Sequence, residues 1–174
     1  MKRSEIDLPE YFDRYILKCD DVTIIESLEV SLKELESIPL EKWKSLGDEV
    51  YAPGKWTIKD ILQHVIDTER VFVFRALSFA RGDRNVPSME EDEYAKQAQA
   101  KNRTIDDLLE EAILLRKSTI LMFNSFTPEM LSKTGMGFKG EYSVAHIGFM
   151  FCGHQRWHFG VIEERYLPML EKFN

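Results

Sequence analysis

Residues 143–168, SVAHIGFMFCGHQRWHFGVIEERYLP, read as one amphipathic helix of about 24 residues, roughly 36 Å long at 1.5 Å per residue. Ser143 is placed to cap its N-terminus, and Pro168 is expected to end it. Val144, Ile147, Gly148, Phe151, Cys152, Phe159 and Ile162 recur at helical spacing and form one face. His154 and His158 lie at the edge of that face, one turn apart. Two imidazoles so spaced project from the same side and can reach one metal ion. Two ligands do not make a site, so the rest of the chain is read for a third.

Thr57 opens a second long helix, with Asp60 three residues on in a capping-box arrangement, and Gly82 ends it. Its core stripe is Ile58, Ile61, Leu62, Val65, Ile66, Phe72, Val73, Ala76 and Ala80. His64 flanks that stripe and is the candidate third imidazole. Glu69 falls inside the stripe, where a carboxylate needs a cation; Arg116 and Arg165 are the candidates. Asp60 and Asp67 sit near His64 on the same helix and could accept from its second ring nitrogen, although ordinary surface pairing is the expectation for both.

Two further long helices complete the count. Val22 to Ser37 carries Ile25, Leu28, Leu32 and Leu35 along one side. Thr104, with Asp107 three residues later, opens another that carries Ile105, Leu108, Leu109, Ala112, Leu115, Ile120 and Phe123. A short aromatic element from Tyr11 to Leu17 is expected across the outside of the bundle, a helical turn around Trp43, and another after Thr127-Pro128. Residues 82–103 are polar, with a short helix expected over Glu91–Ala98 and a solvated acid cluster at Glu90, Glu91, Asp92 and Glu93. A connection this long can cross the bundle and let the next helix run parallel to the second. TGMGFKGEYS, residues 134–143, reads as a flexible connector over the site, and no strand is expected anywhere. The fold class is therefore all-α: one domain over residues 1–174, a four-helix bundle with short additional helices.

Composition bounds the function. The net charge of −7 argues against a general nucleic-acid binder or a polybasic membrane contact. The two basic residues of MKRSEIDLPEYFDRY have no apolar run behind them, and no segment approaches a spanning helix. The expectation is a cytoplasmic protein with Cys19 and Cys152 as thiols, Cys152 buried as a small hydrophobe rather than serving as a ligand or reactive group.

Neutral imidazoles suit Zn²⁺, Ni²⁺ and Fe²⁺, and three protein ligands leave a position for an exogenous group. Proton competition is expected to weaken binding as pH falls through the histidine range, near ~6.5. HQRWH is not the HExxH of zinc proteases, because Gln155 cannot act as a general base. His146 lies on the opposite side of the helix and reads as a non-ligand.

GKWTIKDILQHVIDTERVFVFRALSFARGD, residues 54–83, resembles the first signature of the DinB-like superfamily, and CGHQRWHFGVIEERYLP, residues 152–168, resembles its last helix. The resemblance covers nearly the whole chain. It implies a bundle in up-down-down-up order, a homodimer, and a divalent metal ion held by His64, His154 and His158. Some relatives are metal-dependent transferases that join a low-molecular-weight thiol such as bacillithiol, mycothiol or glutathione to a small electrophilic substrate; others have no established reaction. The implied function is thus a metal-dependent S-transferase, the alternative a non-catalytic metal-binding or stress-related dimeric module, with no catalytic residue assigned. Relatives often carry GHExHH, where this chain has Gln155 and Trp157.

Overall fold

A computed structural model describes residues 1–137 and 139–172, the last two by their backbone alone. Four long helices dominate: α2 (Ile24–Glu36), α4 (Ile58–Arg81), α6 (Ile105–Asn124) and α8 (Val144–Val161). Shorter ones intervene: α1 (Asp13–Ile16), α3 (Leu40–Leu46), α5 (Glu91–Ala98) and α7 (Pro128–Ser132). The starts of the long helices follow from their caps. The Oγ1 of Thr23, Thr57 and Thr104 and the Oγ of Ser143 each accept from the backbone N–H three residues on, satisfying a donor that the helix itself leaves open. Gly82, at φ 96°, closes α4 in the left-handed conformation.

The pairings give the topology. Ile24 and Phe123 meet at Gly148, while Ser31 bonds both Arg116 and Gln155. Hence α2 runs parallel to α8 and antiparallel to α6. Gln63 pairs with Arg103 and Glu69 with Arg116, so α4 and α6 run parallel, as the long crossover allows. His64 faces His158 near one end of α4, and Phe79 faces Tyr142, just before α8, near the other; those two helices are antiparallel. The order is up-down-down-up.

Three expectations are corrected. First, α8 is shorter than read, and Pro168 does not stop the helical path. The backbone passes through a π turn at Ile162–Tyr166 into a 3-10 segment, Leu167–Lys172, where the missing proline N–H leaves no long run of i−4 bonds broken. Every residue of α8 from Val144 to Gln155 is buried, so this stretch is not amphipathic. Second, α1 does more than cross the outside: Ile16 and Phe12 are buried against α8 and supply its second covered face.

Third, residues 134–143 form a hairpin, β1 (Thr134–Gly137) with β2 (Gly140–Ser143), antiparallel. Gly135 and Gly137 serve close approach, and Gly140, at φ 111°, serves the turn. A Cβ on Gly135 would lie 1.9 Å from the Phe79 ring, and one on Gly137 2.2 Å from the Tyr142 hydroxyl. Strands this short and this rich in glycine carry too little alternation to be read. The hairpin packs at the C-terminal end of α4, away from His64. Phe138 lies outside the described residues.

Candidate metal centre

His64 sits in the second turn of α4, directly after the Thr57–Asp60 capping box. His154 and His158 project from successive turns of α8. Because α4 and α8 are antiparallel neighbours, the three rings meet between them. The Nε2 of His154 stands 3.1 Å from that of His64 and 3.1 Å from that of His158. One ligand atom from each ring lies within 4.8 Å of the others, a group that could hold a metal ion. Nitrogens sharing one ion at ~2.0–2.1 Å in tetrahedral array would stand roughly 3.3 Å apart, close to the two separations from His154.

Burial sets the protonation state. His64 is 4% exposed and His154 9%, while His158 is half-buried. Burial pushes the His64 imidazole down to about 4. Burial, then the His64 ring, takes His158 down to about 3. Burial, then His158, His64 and Arg116, holds His154 well below the usual imidazole range. All three rings are therefore neutral at pH 7, the form that binds a cation. The nitrogen of His154 faces two others, and one proton cannot bridge both lines; a cation between the three would satisfy every lone pair together.

Aromatic rings wall the cluster. The Tyr15 ring stands edge-on to His154 at 5.2 Å, and Trp56 lies 4.8 Å from His64 and nearly parallel to His158 at 6.4 Å. Sequence reasoning passed over both. Trp56 had a legible signal: it precedes the N-cap Thr57 and packs in the same cluster as Ile61, the hydrophobic-staple position. Tyr166, presented by the π turn, donates from its hydroxyl to the Trp56 carbonyl and fastens that loop. Tyr15 had no such signal, since nothing local places α1 against α8.

The other candidate residues resolve differently. Glu69 pairs with Arg116, not Arg165, which is exposed. Arg116 donates from Nε at 3.0 Å and from Nη2 at 2.9 Å, and the Thr119 hydroxyl donates to the same carboxylate at 2.7 Å. Arg116 also donates to the Ser31 hydroxyl. A carboxylate so fully engaged holds the helices together. Asp60 accepts from Thr57 and Asp67 from Gln63, the ordinary pairings expected.

His146 is no ligand. Its Nδ1 accepts from the Ser143 N–H at 3.0 Å, so Nε2 carries the proton and donates to Asp7. Gln155 turns away from the histidines and donates to the Ser31 carbonyl at 2.9 Å. Trp157 is exposed and packs on Tyr15. Cys152 is buried among apolar side chains and outside the imidazole group. The Cys19 thiol donates to the Phe149 carbonyl and is held protonated, above its usual range, by bonding to Cys152 and by burial.

A cavity of about 460 Å³ adjoins the cluster, with His154 in its lining. Val65, Thr68, Glu69 and Phe72 of α4, Met150 and Phe151 of α8, and Tyr11, Phe12 and Tyr15 form its walls. Glu90, Glu91, Asp92 and Glu93 remain solvated, as expected, but stand at its mouth.

Fold and site together define a helical bundle with a three-imidazole cluster between two antiparallel helices and a cavity beside it. The sequence profile of the DinB superfamily matches residues 25–162, and the chain belongs to that superfamily. In structure it is similar to YfiT from Bacillus subtilis, described as a probable metal-dependent hydrolase with an unusual four-helix bundle topology. The two share 16% identity at a TM-score of 0.70, over 95% of this chain and 91% of that one, a likeness of fold. No curated protein matches the sequence. No helix among the described residues is long and apolar enough to cross a membrane.

Proposed function

We propose that the protein is a metal-dependent enzyme in which His64, His154 and His158 hold one divalent ion and the adjoining cavity receives a small thiol and an electrophilic acceptor. The observation that carries this reading is the convergence of three neutral imidazoles, one of which, His154, stands in the wall of a cavity. A non-catalytic binding module has no use for such a space, whereas a three-ligand set beside it leaves a position for substrate. A bound divalent ion would supply a Lewis acid able to make a thiol acidic at neutral pH. The chain's own part is to exclude water with Tyr15, Phe72 and Phe151 and to keep the ligand rings unprotonated. Transfer forms one S–C bond, releases the thiol proton, and breaks the acceptor's bond to its leaving group.

The experiment is turnover of an alkyl or aryl halide with added thiol, by protein loaded with Zn²⁺, Ni²⁺ or Fe²⁺. Thiol-dependent product that disappears in His158→Ala supports the reading, and equal rates in both proteins overturn it. Water is the nucleophile of a second reading, favoured by the description of YfiT as a probable hydrolase. Product formed at the same rate without thiol would select it.

A homodimer is the assembly we propose. Its support is apolar surface on the parallel helices α4 and α6: Phe74, Leu77, Leu114 and Leu121 are all exposed.

A further inference from the structure

Two buried arginines line the cavity, and they differ in one respect. Arg116 is matched by the Glu69 carboxylate. Arg75, 3% exposed, is matched by no charge. Its Nη1 donates to the Tyr142 hydroxyl at 3.2 Å and its Nη2 to the Pro87 carbonyl at 2.9 Å, both neutral acceptors. Its Nε is buried without any partner. Among the described residues it makes no ion pair. The guanidinium lies over the Phe72 ring at 4.6 Å, which offsets part of its desolvation but supplies no anion. A buried guanidinium with a free donor and no counter-charge is a group waiting for an anion.

Its place along α4 gives the direction. His64, Thr68, Phe72 and Arg75 follow at helical spacing along one face, and the last three line the cavity. The Thr68 hydroxyl is likewise buried without a partner. One helix thus presents a candidate metal ligand, a free hydroxyl, an apolar ring and an unmatched cation, about three turns from end to end. At the mouth stand four carboxylates against the one ammonium of Lys96. That surface admits a single negative charge more readily than several.

We propose that the cavity takes a small amphipathic monoanion, its carboxylate seated on Arg75 and its apolar body along Phe72, with the other end reaching toward His154. This names the substrate class for the enzyme reading above and rests on that reading only for the assignment of the cavity as a substrate site. Arg75 acts as a specificity residue, touching the end of the substrate remote from the chemistry.

Hexanoate, 1-hexanol and adipate serve as probes, titrated by calorimetry into the full chain, both metal-loaded and chelator-treated. Hexanoate is expected to bind about tenfold more tightly than 1-hexanol in both states, and adipate more weakly than hexanoate. In Arg75→Gln the first preference vanishes, while Arg75→Lys retains part of it, with folding checked by circular dichroism. The proposal is overturned if wild-type protein binds 1-hexanol as well as hexanoate, or binds no hexanoate. It is equally overturned if the preference appears only with metal present, which places the carboxylate on the ion, or survives in folded Arg75→Gln. The wild-type arms decide even where a variant does not fold. Metal content, measured alongside, reports separately on the enzyme reading.

Discussion

The Nε2 atoms of His64 and His154 stand 3.1 Å apart although 90 residues separate them in the chain. Neither helix alone specifies that meeting; it depends on how α4 and α8 are held. The elements that hold them are where substitutions are most informative.

Beside the cluster, Glu69 and Arg116 are both buried, and removing one partner leaves an uncompensated charge in the core. Arg116→Met is expected to cost about 3–5 kcal/mol in urea denaturation. For a chain of this size the melting temperature falls by roughly 10 °C. Adding Glu69→Leu should restore part of the loss, because the stranded carboxylate goes with it. A single variant as stable as wild type would show that the pair is not buried as described.

Gly153 and Gly160, both in α8, should respond in opposite directions. A Cβ on Gly153 would lie 1.8 Å from the Tyr15 carbonyl oxygen, so Gly153→Ala must push α1 away from α8 and lift Tyr15 off His154. Loss of stability and of metal affinity together is the expected result. Nothing lies within 4 Å of a Cβ on Gly160, where alanine should stabilise the helix by up to about 1 kcal/mol. Thermal melts of the two variants check both signs.

Burial shifts the pH dependence away from the sequence expectation. His64 at about 4 and His158 at about 3 are depressed from an unfolded value near ~6.5. Above that unfolded value their neutral forms cost nothing. As pH falls below it, the unfolded chain takes up protons that the folded chain refuses, and stability is lost progressively until the folded values are reached. Metal-free protein should therefore lose stability from about pH 6.5 down to about pH 3, and His64→Ala should lose less between about pH 6.5 and about pH 4. Native-state metal affinity, by contrast, should persist below pH 6.5, since the folded ligands do not compete with protons there. Urea midpoints and metal titrations against pH test the two halves; a steep loss of affinity centred near pH 6.5 would contradict the second.

Trp56, against His64 and His158, offers an optical reporter. Binding of Ni²⁺ or Co²⁺ should quench tryptophan fluorescence, and Trp56→Phe should remove most of the quenching. Trp157 packs on Tyr15 at 5.7 Å and Trp43 on Phe159 at 5.1 Å, neither against an imidazole of the cluster. Undiminished quenching in Trp56→Phe would place the ion elsewhere.

How much of this was legible depends on range. Periodicity and caps are local, and Thr57, Thr104 and Ser143 mark helix starts that the structure shares. The spacing of His154 and His158 is local too, and the flanking position of His64 pointed across to them. What needed the structure was any choice between distant partners. Arg116 and Arg165 were equal candidates for Glu69 until the bundle buried one and exposed the other. Tyr15 reaches His154 only because α1 folds back on α8. The unmatched charge of Arg75 is invisible in a sequence, where every arginine could have an acid nearby.

Metal uptake by the purified chain tests the central claim most directly. Elemental analysis and calorimetric titration should find one divalent ion per chain in wild-type protein, and none retained after dialysis in His64→Ala, His154→Ala or His158→Ala that remain folded. Wild-type protein that takes up no ion, or variants that hold it as tightly as wild type, would contradict the assignment of these three histidines as a metal centre.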